Sequence, residues 1–373
     1  SDLSYIGTLE QELALLKDVL PAGLRMGRMH WGGGTPTILP PALIHRLARA
    51  VRAVIPPTED HEFSVEIDPT MVDSKKIAAL AEEGMNRASI GIQDFAPKVQ
   101  EAIGRIQPFD ITKACVDDLR AAGIHSLNAD LVYGLPHQDN SRLDDTITKV
   151  LELAPDRLAI FGYAHVPWVS KRQQLIDGDT LPKEVERYEL ARLAAQRFVD
   201  AGFDSIGIDH FARPGDTLAR AARSGHLRRN FQGYTDDTCP TLIGLGASSI
   251  SRLPSGYVQN APATAAYIQR IENKTLAGAR GYVMNEDDLL RARAIEMLMC
   301  DFRLDRGALR QVFGDTSDIV DPLIAQVATR FRDYVELSEN YLEISRAGRP
   351  LTRIIASWFD AHVPDGVKYS QAS

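Results

Sequence analysis

The stretch "MHWGGGTPT", residues 29–37, predicts the fold of this chain more directly than any other. An aromatic, strand-like approach over 26–31 runs into three consecutive glycines, and a helix is predicted from about Leu43 to Val54. Consecutive glycines permit positive φ and let a ligand come close to backbone N–H and C=O groups. The stretch therefore predicts the first strand–turn–helix unit of an α/β protein, with either a plain tight turn or a ligand-binding loop.

Two common phosphate-binding loops do not fit this stretch. A Walker loop places lysine and then serine or threonine after its glycines, whereas Gly34 is followed by Thr35 and Pro36. A dinucleotide fingerprint has a third spaced glycine that opens a helix, and here no glycine follows at that spacing. The ligand of the glycine loop must therefore be identified from the rest of the chain.

Strands and helices continue to alternate along the next 170 or so residues, as repeated βα units do. The predicted strands are 62–68, 87–93, 126–134, 157–163 and 203–211, and the predicted helices are 74–84, 111–123, 143–153 and 183–201. Units of this length indicate a parallel sheet. We therefore predict an α/β fold, a partial (β/α)6 TIM-like barrel.

Polar residues stand at six successive predicted strand ends, which packing alone does not explain. They are the glycines 32–34, Glu66 with Asp68, Gln93 with Asp94, Asp130, Tyr163 with His165, and Asp209 with His210. In β/α barrels the active site is built at the C-terminal ends of the strands. These side chains are therefore expected to line one shared pocket.

The pattern changes after about residue 275, which predicts a second domain. A helix opened by Asn285 and the acids that follow it is succeeded by a short hairpin over 334–345 and a final helix over 351–363. We expect a catalytic domain over 1–275 and a mostly helical domain over 276–373. A helix beside a hairpin resembles a winged helix, but a net charge of −8 without a dense basic stripe argues against nucleic acid as a partner.

Composition excludes several other classes of protein. The chain has 373 residues, 44% of them hydrophobic and 25% charged, as in ordinary globular proteins. No apolar run reaches the roughly 18 residues of a membrane span. Its three cysteines, Cys115, Cys239 and Cys300, show neither C-x-x-C nor zinc-ligand spacing. We expect reduced thiols, a cytoplasmic location and no membrane partner.

Six motifs, in this order, resemble those of the oxygen-independent coproporphyrinogen III oxidases, a family of radical S-adenosylmethionine (SAM) enzymes. They are "HWGGGTPT" (30–37), "SVEIDP" (64–69), "IGIQDF" (90–95), "ADLVYGLP" (129–136), "GIDHFARP" (207–214) and "RNFQGYT" (229–235). The resemblance runs from about residue 9 to near the C-terminus. Many radical SAM proteins share "GGGTP", whereas the last two motifs are much more specific.

The resemblance implies a barrel of the radical SAM type, a [4Fe–4S] cluster and two SAM molecules. Gly33, Glu66 and Ile250 would contact the SAM on the cluster; Gly34, Thr35, Gln93, Arg105, Asp130 and Ala164 would contact the second. Carboxylates accept hydrogen bonds from ammonium and ribose groups, and arginine binds a carboxylate through two parallel N–H bonds.

The implied reaction converts two propionates of coproporphyrinogen III into vinyls through a SAM-derived 5′-deoxyadenosyl radical, giving protoporphyrinogen IX in haem biosynthesis. No acid or base is needed as a catalytic residue. The candidate propionate anchors are Arg213, Arg228, Arg229, Tyr163 and His165. Arg213 is favoured because it follows a predicted strand end within a family-specific motif. A monomer that receives electrons from a donor is expected.

One departure from the family concerns the cluster. The family holds it with a C-x3-C-x2-C motif upstream of the helix with which this chain begins, and none of the three cysteines has that position or spacing. The chain starts at Ser1 within a helical pattern, so we expect the motif to lie upstream, and this chain alone to be inactive. The alternative is a cluster-free homologue.

Two other functions stay open at this stage. A non-catalytic tetrapyrrole- or haem-binding protein would bind haem without cleaving SAM. A barrel enzyme acting on a phosphorylated substrate would need a phosphate loop after the late strands, for which "GLGASS" (244–249) is a weak candidate.

Overall fold

The computed structural model describes residues 2–168 and 170–362, which divide into two compact units. The first unit consists of the described residues up to Gly91, then Phe109–Asn128 and Asp237–Val283. The second consists of Ile92–Pro108, Ala129–Asp236 and the described residues from Met284 onward. Both units are assembled from stretches that are far apart in sequence, so they do not follow the expected boundary near residue 275. The sequence division into catalytic and C-terminal domains stays a prediction.

The central sheet has seven strands in the order β1-β2-β3-β4-β5-β7-β6. They are β1 (Met26–Trp31), β2 (Pro57–Ile67), β3 (Arg87–Gln93), β4 (Ser126–Tyr133), β5 (Arg157–Gly162), β6 (Asp204–Ile206) and β7 (His210–Ala212). β1 pairs with β2, and β2 with β3, in parallel. The sequential order of β1 to β5, with helices between the strands, confirms the predicted α/β class.

The last predicted strand, 203–211, was wrong as a single element. Its residues form two short antiparallel strands, β6 and β7, and β7 also runs antiparallel to β5, with Ala159 opposite His210. Gly207 in the turn has φ +57°, and the ring of Tyr234 occupies the place where a Cβ would stand. A side chain there would meet that ring, so the glycine turn reverses an apolar run that otherwise reads as continuous β-strand.

Helices follow most of the parallel strands, and side-chain caps fix several of their starts. Asp73 accepts a hydrogen bond from the Lys76 amide, and Asp139 accepts one from the Arg142 amide. The helices are α1 (Asp2–Val19), α2 (Pro41–Val54), α3 (Ser74–Glu82), α4 (Pro97–Ala102), α5 (Phe109–Ala121), α6 (Asn140–Glu152), α7 (Glu184–Asp200), α8 (Thr217–Arg223) and α9 (Thr264–Glu272). Short 3-10 segments cover Pro36–Ile38, Lys171–Leu175 and Gly178–Thr180.

The C-terminal part of the second unit is mostly helical, as expected. It contains α10 (Glu286–Asp301), α11 (Arg306–Phe313), α12 (Asp321–Arg330), α13 (Thr352–Ser357), and 3-10 segments Gly314–Val320 and Arg346–Leu351. Asn285 and Asp288 form the predicted cap of α10 reciprocally, each side chain accepting from the other's amide. Across residues 2–168 and 170–362, no helix is long and apolar enough to cross a membrane.

Three small sheets complete the described chain. They comprise β8 (Arg228–Asn230) with β9 (Gly233–Thr235); β10 (Ile250–Leu253), β11 (Gly256–Asn260) and β12 (Gly278–Val283); and β13 (Arg303–Asp305), β14 (Val335–Leu337) and β15 (Tyr341–Ile344). The antiparallel pairing of β14 with β15 confirms the hairpin predicted over 334–345. β12 pairs with β11 in the first unit, so the chain stays with that unit up to Val283.

Alternation along β2 determines which of its side chains are available for chemistry. Phe63, Val65 and Ile67 are buried, with at most 3% of their surface exposed. Successive side chains of a strand point to opposite faces, so Ser64 and Glu66 lie on the other face. Burial of the apolar residues therefore fixes the direction of Glu66.

Candidate functional site

In the first unit, His30, Ser64 and Glu66 form a polar group on β1 and β2. The parallel register places His30 opposite Ser64. His30 Nδ1 lies 2.7 Å from Ser64 Oγ, and His30 Nε2 lies 3.5 Å from Glu66 Oε1. The imidazole therefore sits between a hydroxyl and a carboxylate, and both of its nitrogens face polar atoms.

The glycine turn after β1 closes over this group. A Cβ on Gly32 would lie 2.6 Å from both Glu66 Oε1 and His30 Nε2, closer than real Cβ contacts come. Gly33 and Gly34 have φ of +75° and +118°, and the Gly33 amide donates to Glu66 Oε2 at 3.3 Å. Thr35 follows and precedes the 3-10 segment, without a side-chain cap bond. The glycines are needed both for backbone conformation and for contact with the Glu66 carboxylate.

The carboxylate of Glu66 is charged and accessible. The His30 imidazole, 3.5 Å away, holds the pKa of Glu66 below its usual range, and the Gly33 amide acts in the same direction, while burial opposes them. The side chain is 47% exposed. An ionised, accessible carboxylate beside glycine backbone suits a ligand that carries an ammonium group.

Ile250 begins β10, and the loop before it is held by buried contacts. A Cβ on Gly244 would lie 2.7 Å from the Ile250 carbonyl oxygen, so the loop folds back onto Ile250. Glu12 of α1 is 2% exposed and accepts hydrogen bonds from the Gly246 amide (2.8 Å), Asn260 Nδ2 (2.7 Å) and the Tyr267 hydroxyl (2.8 Å). A single buried carboxylate thus connects α1, the loop 244–249, β11 and α9.

These contacts argue against "GLGASS" as a phosphate loop. A phosphate loop offers its backbone N–H groups to the ligand. Here the Gly246 amide donates to Glu12 and the Ala247 amide donates to the Tyr5 hydroxyl at 3.0 Å. Two of the loop's N–H groups are therefore used internally, one of them by a carboxylate that would repel phosphate.

In the second unit, Gln93 and Asp130 lie at or near the C-terminal ends of β3 and β4. Gln93 has φ +66°, a conformation that residues other than glycine rarely adopt. Arg105 Nε donates to Gln107 Oε1 at 3.2 Å. The Ala164 carbonyl accepts from Gln173 Nε2 at 3.0 Å. The four residues predicted to contact a second SAM are half-buried in this unit. Gln93 ends β3, Asp130 lies in β4, Arg105 follows α4 and Ala164 follows β5.

Tyr163 and His165 follow β5 and contact each other, with the Tyr163 hydroxyl 3.3 Å from His165 Nδ1. Burial raises the pKa of the Tyr163 phenol, so it keeps its proton at neutral pH and can donate a hydrogen bond. Arg187 of α7 donates to the Tyr163 carbonyl at 2.9 Å and lies over the Tyr133 ring. Arg187 therefore places a guanidinium beside the residues after β5.

Arg213 does not lie where the sequence predicted. Because β7 is antiparallel to β5, its C-terminal end is at the start of β5, and the Arg213 amide donates to the Asp156 carbonyl. The guanidinium donates to the Ala201 carbonyl at 3.0 Å and stacks 4.0 Å from the centre of the Phe203 ring. The premise that Arg213 follows a strand at the barrel's C-terminal edge was wrong. Its role as a propionate anchor stays a prediction without that support.

Arg228 and Arg229 lie in β8, within a charged and aromatic group of the second unit. Arg229 stacks on Tyr234, and its charge helps to lower the pKa of Asp209. Burial raises the pKa of Asp209, but the hydrogen bond from His210 and the charges of His210, Arg353 and Arg229 outweigh it. Asp209 is therefore a buried carboxylate surrounded by positive groups.

The described residues contain no cluster ligands. Within residues 2–168 and 170–362, no three histidine, cysteine or acidic side chains are grouped so that they could hold a metal ion. Cys115 and Cys300 are buried, which raises the pKa of each thiol to about 12, and Cys239 is exposed. The described cysteines therefore do not fit a [4Fe–4S] cluster.

Several residues of these groups were missed by the sequence reasoning. They are His30, Glu12, Arg187, Gln138 and Lys76, whose ammonium donates to the Thr37 carbonyl at 2.7 Å. Glu12 carried a usable signal, because it falls on the buried face of α1 beside Leu9 and Leu13. His30, Arg187 and Lys76 were missed because Glu66, Tyr163 and Thr37, which they contact, are remote in sequence. Gln138 contacts the nearby amides of Gly134 and Leu135, but its contact with Asp94 spans 44 positions.

Comparisons with known proteins agree with this arrangement. Residues 2–150 match the model of the radical SAM superfamily. An oxygen-independent coproporphyrinogen III oxidase of Cereibacter sphaeroides is 62% identical over 371 residues, covering 99% of this chain and 82% of the relative. One from Salmonella typhimurium is 36% identical over 377 residues, with 99% and 81% covered. The solved Escherichia coli coproporphyrinogen III oxidase, described as a radical SAM enzyme, is 35% identical, has a TM-score of 0.93, and is matched over 97% of this chain and 84% of that one.

Proposed function

Because the chain belongs to the oxygen-independent coproporphyrinogen III oxidases of the radical SAM superfamily, we propose that it oxidatively decarboxylates two propionates of coproporphyrinogen III to vinyls. The product is protoporphyrinogen IX, so the chain acts in haem biosynthesis as an oxidoreductase. The single observation that carries this proposal is the near-full-length match to relatives of that name. The fold and the residues of the first unit are consistent with it.

Membership of the superfamily implies SAM and a [4Fe–4S] cluster as cofactors. When bound, they supply a radical that abstracts hydrogen from the substrate. The residues present fit SAM, because the ionised Glu66 carboxylate is accessible and lies beside the backbone of the glycine loop. The described residues do not fit the cluster, because their cysteines are not grouped as its ligands would be.

Four residues of the first unit have distinct roles in binding SAM in this proposal. The Glu66 carboxylate accepts from the ammonium group of one SAM, and Gly33 offers backbone atoms to the same end of the molecule. His30 keeps the carboxylate ionised and oriented through its contact at 3.5 Å. Ile250, fixed by the loop that Glu12 holds, packs against the adenosine end.

Residues of the second unit orient a second SAM and the substrate. Gln93, Arg105, Asp130 and Ala164 contact the second SAM. Protonated Tyr163, with His165 beside it, donates to a propionate. Arg228 and Arg229 supply positive charge in the same unit. For Arg213 the contacts favour a structural role over substrate binding, because its guanidinium already binds a carbonyl and stacks on a ring.

Three further properties are part of the proposal. The enzyme receives electrons from a separate donor protein or reductant, because reductive cleavage of SAM consumes an electron. It acts as a monomer, and it resides in the cytoplasm. The chain up to about residue 275 carries the chemistry, and the mostly helical part from Met284 onward belongs to the second unit.

The test of this function uses Glu66→Gln in the cluster-loaded enzyme. The substitution keeps size and removes charge, so SAM binding should weaken by about 1.5–3 kcal/mol, the value of a hydrogen bond to a charged group. SAM affinity, 5′-deoxyadenosine formation and vinyl formation are measured under anaerobic conditions. Glu59→Gln, an exposed position on the same strand, is the matched control.

Wild-type enzyme should consume SAM and form protoporphyrinogen IX, and the control should match it. A wild-type enzyme that binds tetrapyrrole without cleaving SAM would establish the non-catalytic alternative. Normal turnover by Glu66→Gln would show that this carboxylate is structural.

A further inference from the structure

The backbone of Gln93 is held in a conformation that needs support. Gln93 ends β3 with a φ of +66°, in the left-handed region that residues with a Cβ rarely adopt. Such positions persist only where the surrounding structure fixes them, and they cluster at functional sites. The residues that fix Gln93 therefore determine where its amide points.

Asp94, the next residue, is fully buried, with 0% of its surface exposed. Its Oδ1 accepts from the Ala96 amide at 2.6 Å and from the Thr146 hydroxyl at 2.9 Å, and its Oδ2 accepts from Gln138 Nε2 at 2.7 Å. Burial raises the pKa of Asp94, while these three donors act in the opposite direction. The carboxylate thus connects the loop after β3 to α6 and to the loop after β4.

Gln138 uses its whole amide in this region and is 5% exposed. Besides Asp94, its Nε2 donates to the Val132 carbonyl at 3.0 Å, and its Oε1 accepts from the amides of Gly134 at 2.7 Å and Leu135 at 3.3 Å. An amide has two donors and two acceptor positions, and all four are used. Gln138 can therefore adopt only one orientation, which fixes the end of β4.

The loop after β4 is also confined from the side of α7. Gly134 has φ +83°, and a Cβ there would lie 2.5 Å from Arg187 Nη1. The Arg187 guanidinium itself donates to the Tyr163 carbonyl. The loop is thus held between Gln138 and Arg187, and the φ of Gly134 disfavours any residue with a side chain at this position.

We propose that Asp94 and Gln138 are a positioning pair that locks the ends of β3 and β4 together and so orients Gln93 and Asp130 toward the second SAM. The inference rests on the proposed function, which supplies the ligand. Neither side chain touches the cofactor. The pair instead holds Gln93 and Asp130 in place before SAM binds, so that binding does not have to order them. Loss of the pair should therefore weaken binding of the second SAM more than binding of the first.

A polarity swap tests the pair. Asp94→Asn turns an amide N–H toward the Gln138 N–H, and Gln138→Glu sets two carboxylates against each other, although both changes preserve shape. In the double variant, the new amide at position 94 donates to the new carboxylate at position 138, so the hydrogen bond between the two side chains is restored with its direction reversed. The Val132 carbonyl alone loses its donor from position 138. Each single variant should weaken the second SAM binding event by about tenfold or more, and the double variant should recover most of that loss.

The measurements are SAM stoichiometry and affinity by equilibrium dialysis of the cluster-loaded enzyme, together with the thermal midpoint. Glu83→Gln is the matched control, because Glu83 is a buried carboxylate paired with His45 and Arg52 in the first unit. It should lower the midpoint and leave binding of both SAM molecules unchanged. If a single variant does not fold, Thr146→Val removes one donor to Asp94 and the acceptor of the Phe95 amide, and leaves the bond between Asp94 and Gln138 in place. It should weaken the second binding event in the same direction, to a smaller extent.

The outcomes separate this inference from the function on which it rests. Recovery of the second binding event in the double variant supports the pair. Wild-type enzyme that binds two SAM molecules, with single variants that lower only the midpoint, overturns the pair and leaves the function intact. A double variant no better than the worse single variant also overturns it. Wild-type enzyme that binds one SAM overturns the pair together with the second site, and absence of SAM cleavage overturns the function itself.

Discussion

A Cβ on Gly32 would meet the Glu66 carboxylate and the His30 imidazole, so a larger residue there would have to displace both side chains. Glu66 Oε1 and His30 Nε2 both lie 2.6 Å from that position. Gly134 repeats the arrangement in the second unit, where the neighbour is the Arg187 guanidinium. In both loops, glycine allows a charged side chain to lie directly against the backbone. The glycines at these two turns therefore allow the Glu66 carboxylate and the Arg187 guanidinium to lie beside the loops.

Arg213 provides a test at the same scale. Arg213→Ala removes the stacking on Phe203 and the hydrogen bond to the Ala201 carbonyl, so the free energy of unfolding should fall by about 1–3 kcal/mol. The apparent KM for coproporphyrinogen should stay unchanged, because these contacts already occupy the guanidinium. Thermal unfolding and steady-state kinetics are measured on the same preparation.

Arg220→Ala is the matched control, an exposed arginine of the neighbouring helix α8. It should change neither stability nor KM. A raised KM in Arg213→Ala with unchanged SAM affinity would contradict this expectation and restore Arg213 as a substrate anchor.

Helix α1 contributes to the site through a loop and not through a ligand contact. Glu12 of this helix holds the loop 244–249, in which Gly246 and Ser248 have φ of +91° and +63°. Its three acceptor contacts reach three different elements of the first unit. Because Ile250 directly follows the loop, the placement of one helix fixes the start of β10.

Glu12→Ala should therefore affect both stability and cofactor binding. The substitution removes the acceptor of two buried donors, the Gly246 amide and the Tyr267 hydroxyl, each at a cost of about 1–3 kcal/mol before relaxation. Asn260 Nδ2 loses one of its three acceptors. We expect a lower thermal midpoint and weaker SAM binding, measured by unfolding and equilibrium dialysis. Gln11→Ala, exposed on the same helix, should change neither. Unchanged SAM affinity in a destabilised Glu12→Ala enzyme would show that the loop does not position Ile250.

At the scale of the whole molecule, each unit is assembled from stretches remote in sequence. In the second unit, Ile208 packs against the C-terminal helical core, and the Tyr234 hydroxyl donates to the Met299 carbonyl at 2.7 Å. Asp209 accepts from His210 Nδ1 and from Arg353 of α13, both at 2.7 Å. The family-specific motifs around Asp209 and Tyr234 thus join the sheet to the C-terminal helices. Part of their role is structural.

The pH dependence of unfolding tests the role of Asp209. The folded state lowers its pKa, so its contribution to stability is present above the unfolded pKa, about 3.9, and is lost as pH falls through the folded value. Asp209→Asn should therefore lower the free energy of unfolding by about 1.5–3 kcal/mol at neutral pH. The difference from wild type should shrink below about pH 4, as measured by denaturant titration across pH.

The exposed pair of Asp318 with Arg310 offers a control, since both side chains are more than half exposed. Asp318→Asn should cost less than about 1 kcal/mol at any pH. A difference between Asp209→Asn and wild type that persists unchanged at pH 3 would contradict the electrostatic account.

The sequence by itself predicted the α/β class, most elements of the sheet and the hairpin over 334–345. Those predictions were possible because hydrophobic periodicity, caps and glycine turns are local signals. Asn285, for example, caps α10 through a residue only three positions away. The prediction of a single strand over 203–211 was wrong because it depended on a contact between residues that are far apart in sequence. The reversal at Gly207 accompanies packing of Tyr234, which lies 27 positions further along the chain, and no local pattern reports it.

For the candidate site, the motifs named Gly33 and Glu66, and only the tertiary structure decided what surrounds them. The proximity of His30 to Glu66 follows from the register of two parallel strands, and the contact of Glu12 with Gly246 spans 234 positions. The direction of β7 likewise moved Arg213 away from its predicted position. The sequence determines which functional groups the chain carries, and so limits the chemistry that the chain can perform. Distances and strand directions depend on packing between remote segments, which a single sequence does not encode in any local pattern.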